Sequence, residues 1–351
     1  MGERRHERDQ GPCAVDRGRY EDAVTPWEGP DWRRAALEWA AGELAAHGLR
    51  ATGLEKVRLR PWSVLVKISV AGTGTPTHTD ARPGAVWFKA NPPASLFEAG
   101  LTEALAGWVP EHVLRPLAVD PGRGWSLLPD GGPLFKDALD HVPDDPRAWE
   151  EPLRQYAELQ RAVMPQVRAM ERLGVPSART AALPEAFDRL VAGNAVLGAD
   201  DRAALRALRP RLAEWCAELA GVGIADSLDH GDLHAGQLFA VPSGRFVFFD
   251  WGDANVTHPF CSLPVPAQAA CDRYGPEVLP RLRDAYLEPW TGDGRTRAEL
   301  RRAVSLAWRL GAIGRSCSWG RLFPEPSGAP GTAGEAESAR WLLDVFTSPP
   351  L

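Results

Sequence analysis

The sequence predicts an α+β chain in two lobes, a small antiparallel-sheet lobe followed by a mainly helical one. Three observations predict it. Residues 31–130 read as a helix, three strands, a second helix and two more strands, and strands that follow one another with a single helix between them favour an antiparallel sheet. Residues 145–221 carry helical periodicity almost without a break. After a short strand-rich insert, the periodicity returns from Ala267 to Leu310.

Residues 1–30 are polar and irregular and read as a disordered leader. From Asp31, a candidate helix cap, Trp32, Ala36, Leu37, Trp39, Ala40 and Leu44 fall near one face, and Gly48 reads as the stop. Val64, Val66, Ile68 and Val70 alternate with Leu65, Lys67 and Ser69, the period of a half-buried strand. GTGTPTHTDARPG reads as a hairpin loop, AVWFKA as the next strand, LFEAGLTEALAGWV as a helix, and RPLAV and GWSLLP as strands. A boundary falls at the DGG turn, so residues 31–130 form the first lobe and 131–351 the second. In the second lobe EEPLRQYAELQRAVMPQVRAMERLG, LPEAFDRLVAG and ADDRAALRALRPRLAEWCAELAG are helical, LFAV and RFVFFD form a hairpin, and a Gly/Pro/Ser/Glu-rich loop at 324–335 precedes a last short helix.

Composition narrows the class. The 351 residues suffice for two lobes, and 44% apolar residues for a substantial core. A formal charge of −6 gives no support to a nucleic-acid partner and would suit a cationic substrate. The five cysteines are scattered with no paired spacing, the pattern of free thiols in a reducing compartment. The start MGERRHERDQ is too charged for a signal peptide and lacks the Ser or Thr of a myristoylation site. No apolar run reaches the roughly 18 residues of a membrane span. The expectation is a cytoplasmic protein, monomer or homodimer, without a membrane partner.

The informative segment is LDHGDLHAGQLFAVPSGRFVFFDWGDA. It holds His230-Gly231-Asp232-Leu233, then Gln237, then Asp250-Trp251-Gly252, with the hairpin between the two acids. Phosphoryl transfer needs positioning and charge neutralisation more than covalent help. One carboxylate must accept the proton of an attacking hydroxyl; another must hold Mg²⁺, which prefers hard oxygen ligands and keeps several waters. A neutral amide oxygen completes that shell. Two other readings are weaker. The segment could be a loop whose Asp and His only cap turns. His230 and His234 stand at a zinc-like spacing, but the helical His-Glu-x-x-His pattern is missing.

The segment is similar to the protein-kinase catalytic loop H-R-D-L-x-x-x-N followed by D-F-G, and its HGDLH form resembles the aminoglycoside phosphotransferase family of kinase-like enzymes. The resemblance covers roughly residues 50–320. It implies a bilobal protein-kinase-like fold, Asp232 as catalytic base and Asp250 as principal Mg²⁺ ligand. Gln237 stands where the family usually has Asn, a ligand one methylene longer. The implied reaction is ATP-dependent phosphorylation of a hydroxyl on a small molecule, an aminoglycoside-like antibiotic or a hydroxylated metabolite, with GTP as a further candidate donor. The alternative is a kinase-like nucleotide-binding protein with a regulatory role and impaired turnover.

The first lobe should supply a lysine to the phosphates. Lys89 in AVWFKA takes the place of the kinase V-A-I-K lysine, with Glu98 nine residues on as its partner. The rivals are Lys67, read as a solvated strand charge, and Glu103. The turn Arg60-Pro61-Trp62-Ser63 is the candidate phosphate flap, with Ser63 as its hydroxyl. Gly72-Thr73-Gly74-Thr75 lacks the Gly-Lys-Ser/Thr of a Walker loop and reads as a hairpin tip. The adenine edge should meet backbone groups near Leu128, Pro129 and Asp130. Asp253, Glu150 and Glu151 are candidates for an acceptor's amines, and most of the 14 Trp should be core.

Overall fold

In the computed structural model, residues 14–18, 20, 21, 23–73, 84–141, 145–319 and 332–350 are described. The expected hairpin loop and the Gly/Pro/Ser/Glu-rich loop lie largely outside them.

Helix α1 (Pro30–Ala46) precedes strands β1 (Leu49–Arg60), β2 (Ser63–Gly72) and β3 (Ala85–Ala90), helix α2 (Phe97–Trp108), and strands β4 (Ala118–Asp120) and β5 (Trp125–Pro129). The five strands form one antiparallel sheet in the order β1-β2-β3-β5-β4. Strand alternation sorts the side chains. Val64, Ile68, Val86 and Phe88 join Ala36, Ala40, Leu44 and Trp125 in the core under α1, while Leu65, Lys67, Trp87 and Lys89 line the opposite, cleft face. The α+β first lobe is therefore as the sequence predicts.

Three local expectations need correction. Asp31 does not cap α1. The cap position is Gly29, Pro30 opens the helix, and Asp31 pairs with Arg34 one turn on at 2.7 Å. Leu37 is 57% exposed, because the buried stripe of α1 runs through Ala36, Ala40 and Leu44 instead. The described part of the leader is packed. Trp27 is fully buried against the sheet, and Tyr20 sits between Trp62 and Trp319 at ring distances of 5.8 and 6.1 Å. Polar composition hid two aromatic anchors whose burial draws on partners in the sheet and, for Tyr20, on Trp62 and Trp319 far along the chain.

The second lobe holds α3 (Phe135–His141), α4 (Glu150–Val163), α5 (Val167–Arg172), α6 (Leu183–Gly193), α7 (Ala199–Gly221), α8 (Pro264–Tyr274), α9 (Leu279–Leu287), α10 (Arg297–Trp319) and α11 (Thr332–Leu343). Two small antiparallel pairs support its cleft face. Strands β6 (Ser227–Asp229) and β9 (Asn255–Thr257) bracket the motif segment; β7 (Leu238–Ala240) and β8 (Phe246–Phe248) form the hairpin inside it. The short β6, β9 and α3 carry too few residues for a periodic signal. Helix α2 packs through Phe97, Leu101 and Leu105 into the core of the second lobe, although it belongs to the first in sequence. It thereby couples the sheet to the motif segment. No described helix is long and apolar enough to cross a membrane.

Candidate active site

Between the lobes lies a cleft of about 1690 Å³. Its first-lobe wall carries Lys56, Arg58, Ser63, Lys67 and Lys89; the second-lobe wall carries Asp232, Gln237, Asp250 and Asp253.

Lys89 is the hub. Strand β3 aims it into the cleft, where the residue is 6% exposed. It donates to Glu98 Oε1 at 2.6 Å and also to Asp250, 161 residues away in sequence. Glu98 is 4% exposed, whereas Glu103 is exposed on the far side of α2. Glu98 is held by more than the lysine. The Asn91 side-chain amide donates to its other oxygen, and Trp251 N–H donates to Oε1 at 2.9 Å. Ser95 Oγ donates to Gly252 O at 2.9 Å, a second tie between the start of α2 and the D-W-G segment. Burial works against charge at Lys89, but the facing Asp250 and Glu98 carboxylates outweigh it and keep the ammonium protonated. Burial likewise resists ionisation of Asp250, and the Lys89 charge and hydrogen bond overcome it, holding Asp250 down at about 2.

Asp250 has φ 67° and ψ 62°, the only non-glycine residue with positive φ among those described. Such a conformation costs roughly 1–3 kcal/mol and persists where neighbours enforce it. Here Lys89 grips its carboxylate while Trp251, fully buried, packs on His230 at 4.7 Å between rings.

The H-G-D turn is rigid at its base. The Asp232 N–H donates to His230 Nδ1 at 3.4 Å, so Nε2 carries the proton and donates to Phe249 O at 2.8 Å. Burial lowers the His230 pKa and keeps the ring neutral. With both nitrogens in use, His230 has none left for zinc. Gly231 has φ +80°, and a Cβ there would lie 2.3 Å from Asp253 O, so no other residue fits. Asp232 keeps 44% of its side chain exposed and faces the cleft. Gln237 Nε2 donates to Asp232 Oδ2 at 3.4 Å, a long contact that orients the amide and leaves its oxygen as the remaining ligand atom. Together with the Asp250 carboxylate this is a hard, all-oxygen donor set on one wall, which fits Mg²⁺.

Other residues singled out in the sequence are placed as follows. Ser63 is buried in the cleft wall. The Asp130 carboxylate is engaged by Lys67 at 2.9 Å, so only backbone groups of that linker remain for a base edge. Lys67, expected as a solvated strand charge, keeps 26% of its side chain exposed but is paired rather than free. It also meets Glu55 at 3.4 Å and stands 5.7 Å from the Trp87 ring. Glu150 pairs with Arg281 at 2.6 Å, and Glu151 pairs with Arg154. Neither lines the cleft, and no other residue of α4 does. Sequence reasoning missed Lys56 and Arg58, though the alternation in KVRLR puts them on one strand face. It also missed Asn91, and Arg315 of α10, for which no local signal exists.

Asp253 lines the cleft, and its pKa is pushed up to about 7, by burial first and then by the Asp232 and Asp250 charges. Unfolded, the group titrates near 3.8. Between those values the folded chain holds a proton that the unfolded chain has released. Its contribution to stability is therefore full below the lower value and is lost as pH rises through the upper one. Asp253→Asn should raise the melting temperature relative to wild type at pH 8 and leave it unchanged at pH 4. Equal shifts at both pH values in thermal scans would exclude this carboxyl as the source.

No protein-family profile matches the chain, and no curated protein matches it. Solved structures do. The chain is similar to an ethanolamine kinase of Plasmodium vivax, at 13% identity and a TM-score of 0.53 over 84% of this chain and 82% of that one. It is similar to an aminoglycoside 2'-phosphotransferase in complex with GDP, at 13% identity and a TM-score of 0.54 over 88% and 98%. It is also similar to a type I macrolide 2'-phosphotransferase, at 17% identity and a TM-score of 0.51 over 91% and 98%. At such identities the likeness is one of fold. The chain has the bilobal protein-kinase-like fold, in the form that these solved structures share.

Proposed function

We propose that this chain is a phosphotransferase that moves the γ-phosphoryl of ATP, or of GTP, onto a hydroxyl of a small molecule. The observation that carries the reading is Lys89, which ties Glu98 to Asp250 on the same cleft into which Asp232 opens. Asp232 accepts the hydroxyl proton, since the neighbouring His230 is buried and neutral with both nitrogens occupied. Lys89, with Lys56 and Arg58 two strands away on β1 of the same sheet, offers positive charge to the nucleotide phosphates, and Ser63 lies at the β1–β2 turn on the same cleft wall. Asp250 and the Gln237 amide oxygen would hold Mg²⁺, which supplies charge neutralisation at the phosphates. The linker at Leu128, Pro129 and Asp130 borders the same cleft and offers backbone groups to the base. The neighbours named above act on an amino alcohol, an aminoglycoside and a macrolide by their names, and the acceptor here is sought in those classes.

The test is phosphoryl transfer by the pure protein, with ATP and GTP, over a panel of amino alcohols, aminoglycosides, macrolides and sugars. Mg²⁺-dependent nucleotide binding without transfer to any acceptor would favour the regulatory alternative. Gln237 provides a further expected result. Gln237→Ala raises the Mg²⁺ concentration needed for half-maximal rate, and Gln237→Asn restores it only in part, because the backbone is set for the longer side chain. A lower rate with an unmoved Mg²⁺ midpoint would remove Gln237 from the metal shell and leave it the contact to Asp232.

A further inference from the structure

The peptide groups on either side of Gly231, immediately ahead of Asp232, are held by two buried charges. Gly231 N–H donates to Asp229 Oδ1 at 3.0 Å. Gly231 O accepts from Arg315 Nη1 at 2.8 Å. Asp229 is 2% exposed and Arg315 7%. Neither forms an ion pair with any described residue. The other contacts of Asp229 are neutral: Ser262 Oγ donates to it at 2.7 Å and Asn255 Nδ2 at 3.4 Å. Arg315 lies over the Trp341 ring at 5.1 Å, and its Nη2 has no partner.

A buried charge without a counter-charge is destabilising, and packing alone would be served better by an apolar residue. What the two charges have in common is Gly231. Hydrogen bonds from or to ionised groups are shorter and about twice as strong as neutral ones, and here one lies on each side of a single glycine. That glycine is also the point of least tolerance in the turn, because it sits at φ +80° with Asp253 O where a side chain would be. The two anchors come from different elements. Asp229 ends strand β6, and Arg315 lies on α10, 84 residues from Gly231.

We propose that Asp229 and Arg315 are positioning residues that clamp the Gly231 peptide from both sides and so set the place of the Asp232 carboxylate. This rests on the reading of Asp232 as the base. Displacement of a reacting group by about 1 Å costs roughly 10²-fold in rate, so release of the Gly231 carbonyl lowers kcat while nucleotide binding, which draws mainly on Lys89, the first-lobe wall and Asp250, is kept.

The experiment compares Arg315→Gln, Arg315→Ala, Asp229→Ala and the double variant Asp229→Ala/Arg315→Gln with wild type. Arg302→Gln, an exposed residue on the same helix paired with Glu218, is the control. Arg315→Gln should lower kcat by about 10–100-fold with the nucleotide KM within twofold. Millimolar guanidinium should recover part of the rate in Arg315→Ala and nothing in wild type. The double variant should be scarcely worse than the poorer single one, since both side chains hold one peptide. Amide hydrogen exchange provides a readout independent of activity. Exchange in the 228–235 peptide should quicken at least tenfold in Arg315→Gln while the α7 peptides keep wild-type rates. Unchanged exchange at 228–235, or equal acceleration throughout the second lobe, would overturn the clamp. If wild type transfers phosphate to no acceptor while the local exchange change appears, the failure lies with the proposed reaction, and the clamp on the turn stands. Wild-type kcat in an active Arg315→Gln enzyme would sink the proposal outright.

Discussion

Asp232→Asn is expected to bind nucleotide as wild type does and to lose about 10²–10⁴-fold in kcat, the range of general-base contributions. The substitution is close to isosteric and sits on a half-exposed side chain, so folding should not suffer. Gln237 can still contact the new amide, and the His230 and Gly231 hydrogen bonds that shape the turn run through backbone or other side chains. Nucleotide affinity, measured by calorimetry, should stay within a factor of two. The informative quantity is the split. A kcat that survives removes Asp232 from the chemistry. A kcat that falls together with nucleotide binding means that the change has disturbed the cleft rather than the proton transfer.

Lys89→Ala should be the most damaging single substitution, through two separate effects. It removes the ammonium that would face the phosphates, and it strands two carboxylates. Glu98 is 4% exposed and Asp250 is held ionised chiefly by this lysine. Removal of one partner from a buried ion pair typically destabilises by about 3–5 kcal/mol. Nucleotide KM should rise or kcat fall, and the melting temperature should drop. Lys67→Ala, which frees only the Asp130 and Glu55 pairs on a part-exposed surface, should do little to either, since such pairs contribute about 0–1 kcal/mol. Glu98→Gln should follow the lysine, with Glu103→Gln silent. The reverse pattern, with Lys67 and Glu103 sensitive, would mean that the cleft binds nucleotide in another orientation. Melting curves with and without nucleotide separate the two effects of Lys89, because a structural loss is present in both and a binding loss only in one.

Much of this was legible in the chain because the relevant signals are local. The alternation of AVWFKA puts Lys89 on the face opposite Val86, Phe88 and Ala90, and that is the cleft face. Glu98 and Glu103 are five residues apart on one helix, so at most one of them can share the lysine's side, and the first turn is the nearer. His230, Asp232 and Asp250 stand around a hairpin short enough to bring both acids to one wall whatever the rest of the molecule does. Period, spacing and turn chemistry are properties of a few consecutive residues, and the sequence states them directly.

The two-lobe α+β order, the Lys89–Glu98 pair and the two acids of the motif segment can all be read along the chain. Which further charges meet across the cleft follows from the docking of distant elements. The part-exposed Lys67 found a partner in Asp130, while Glu150 and Glu151 turned away to Arg281 and Arg154, and Trp27 of the polar leader became core. Arg315 reached Gly231 from a helix 84 residues downstream. The physical reason is that an ion pair or a buried ring depends on the distance between two surfaces, and that distance is set by how α2, α4 and α10 dock on a common core. No periodicity within any one of those segments contains it.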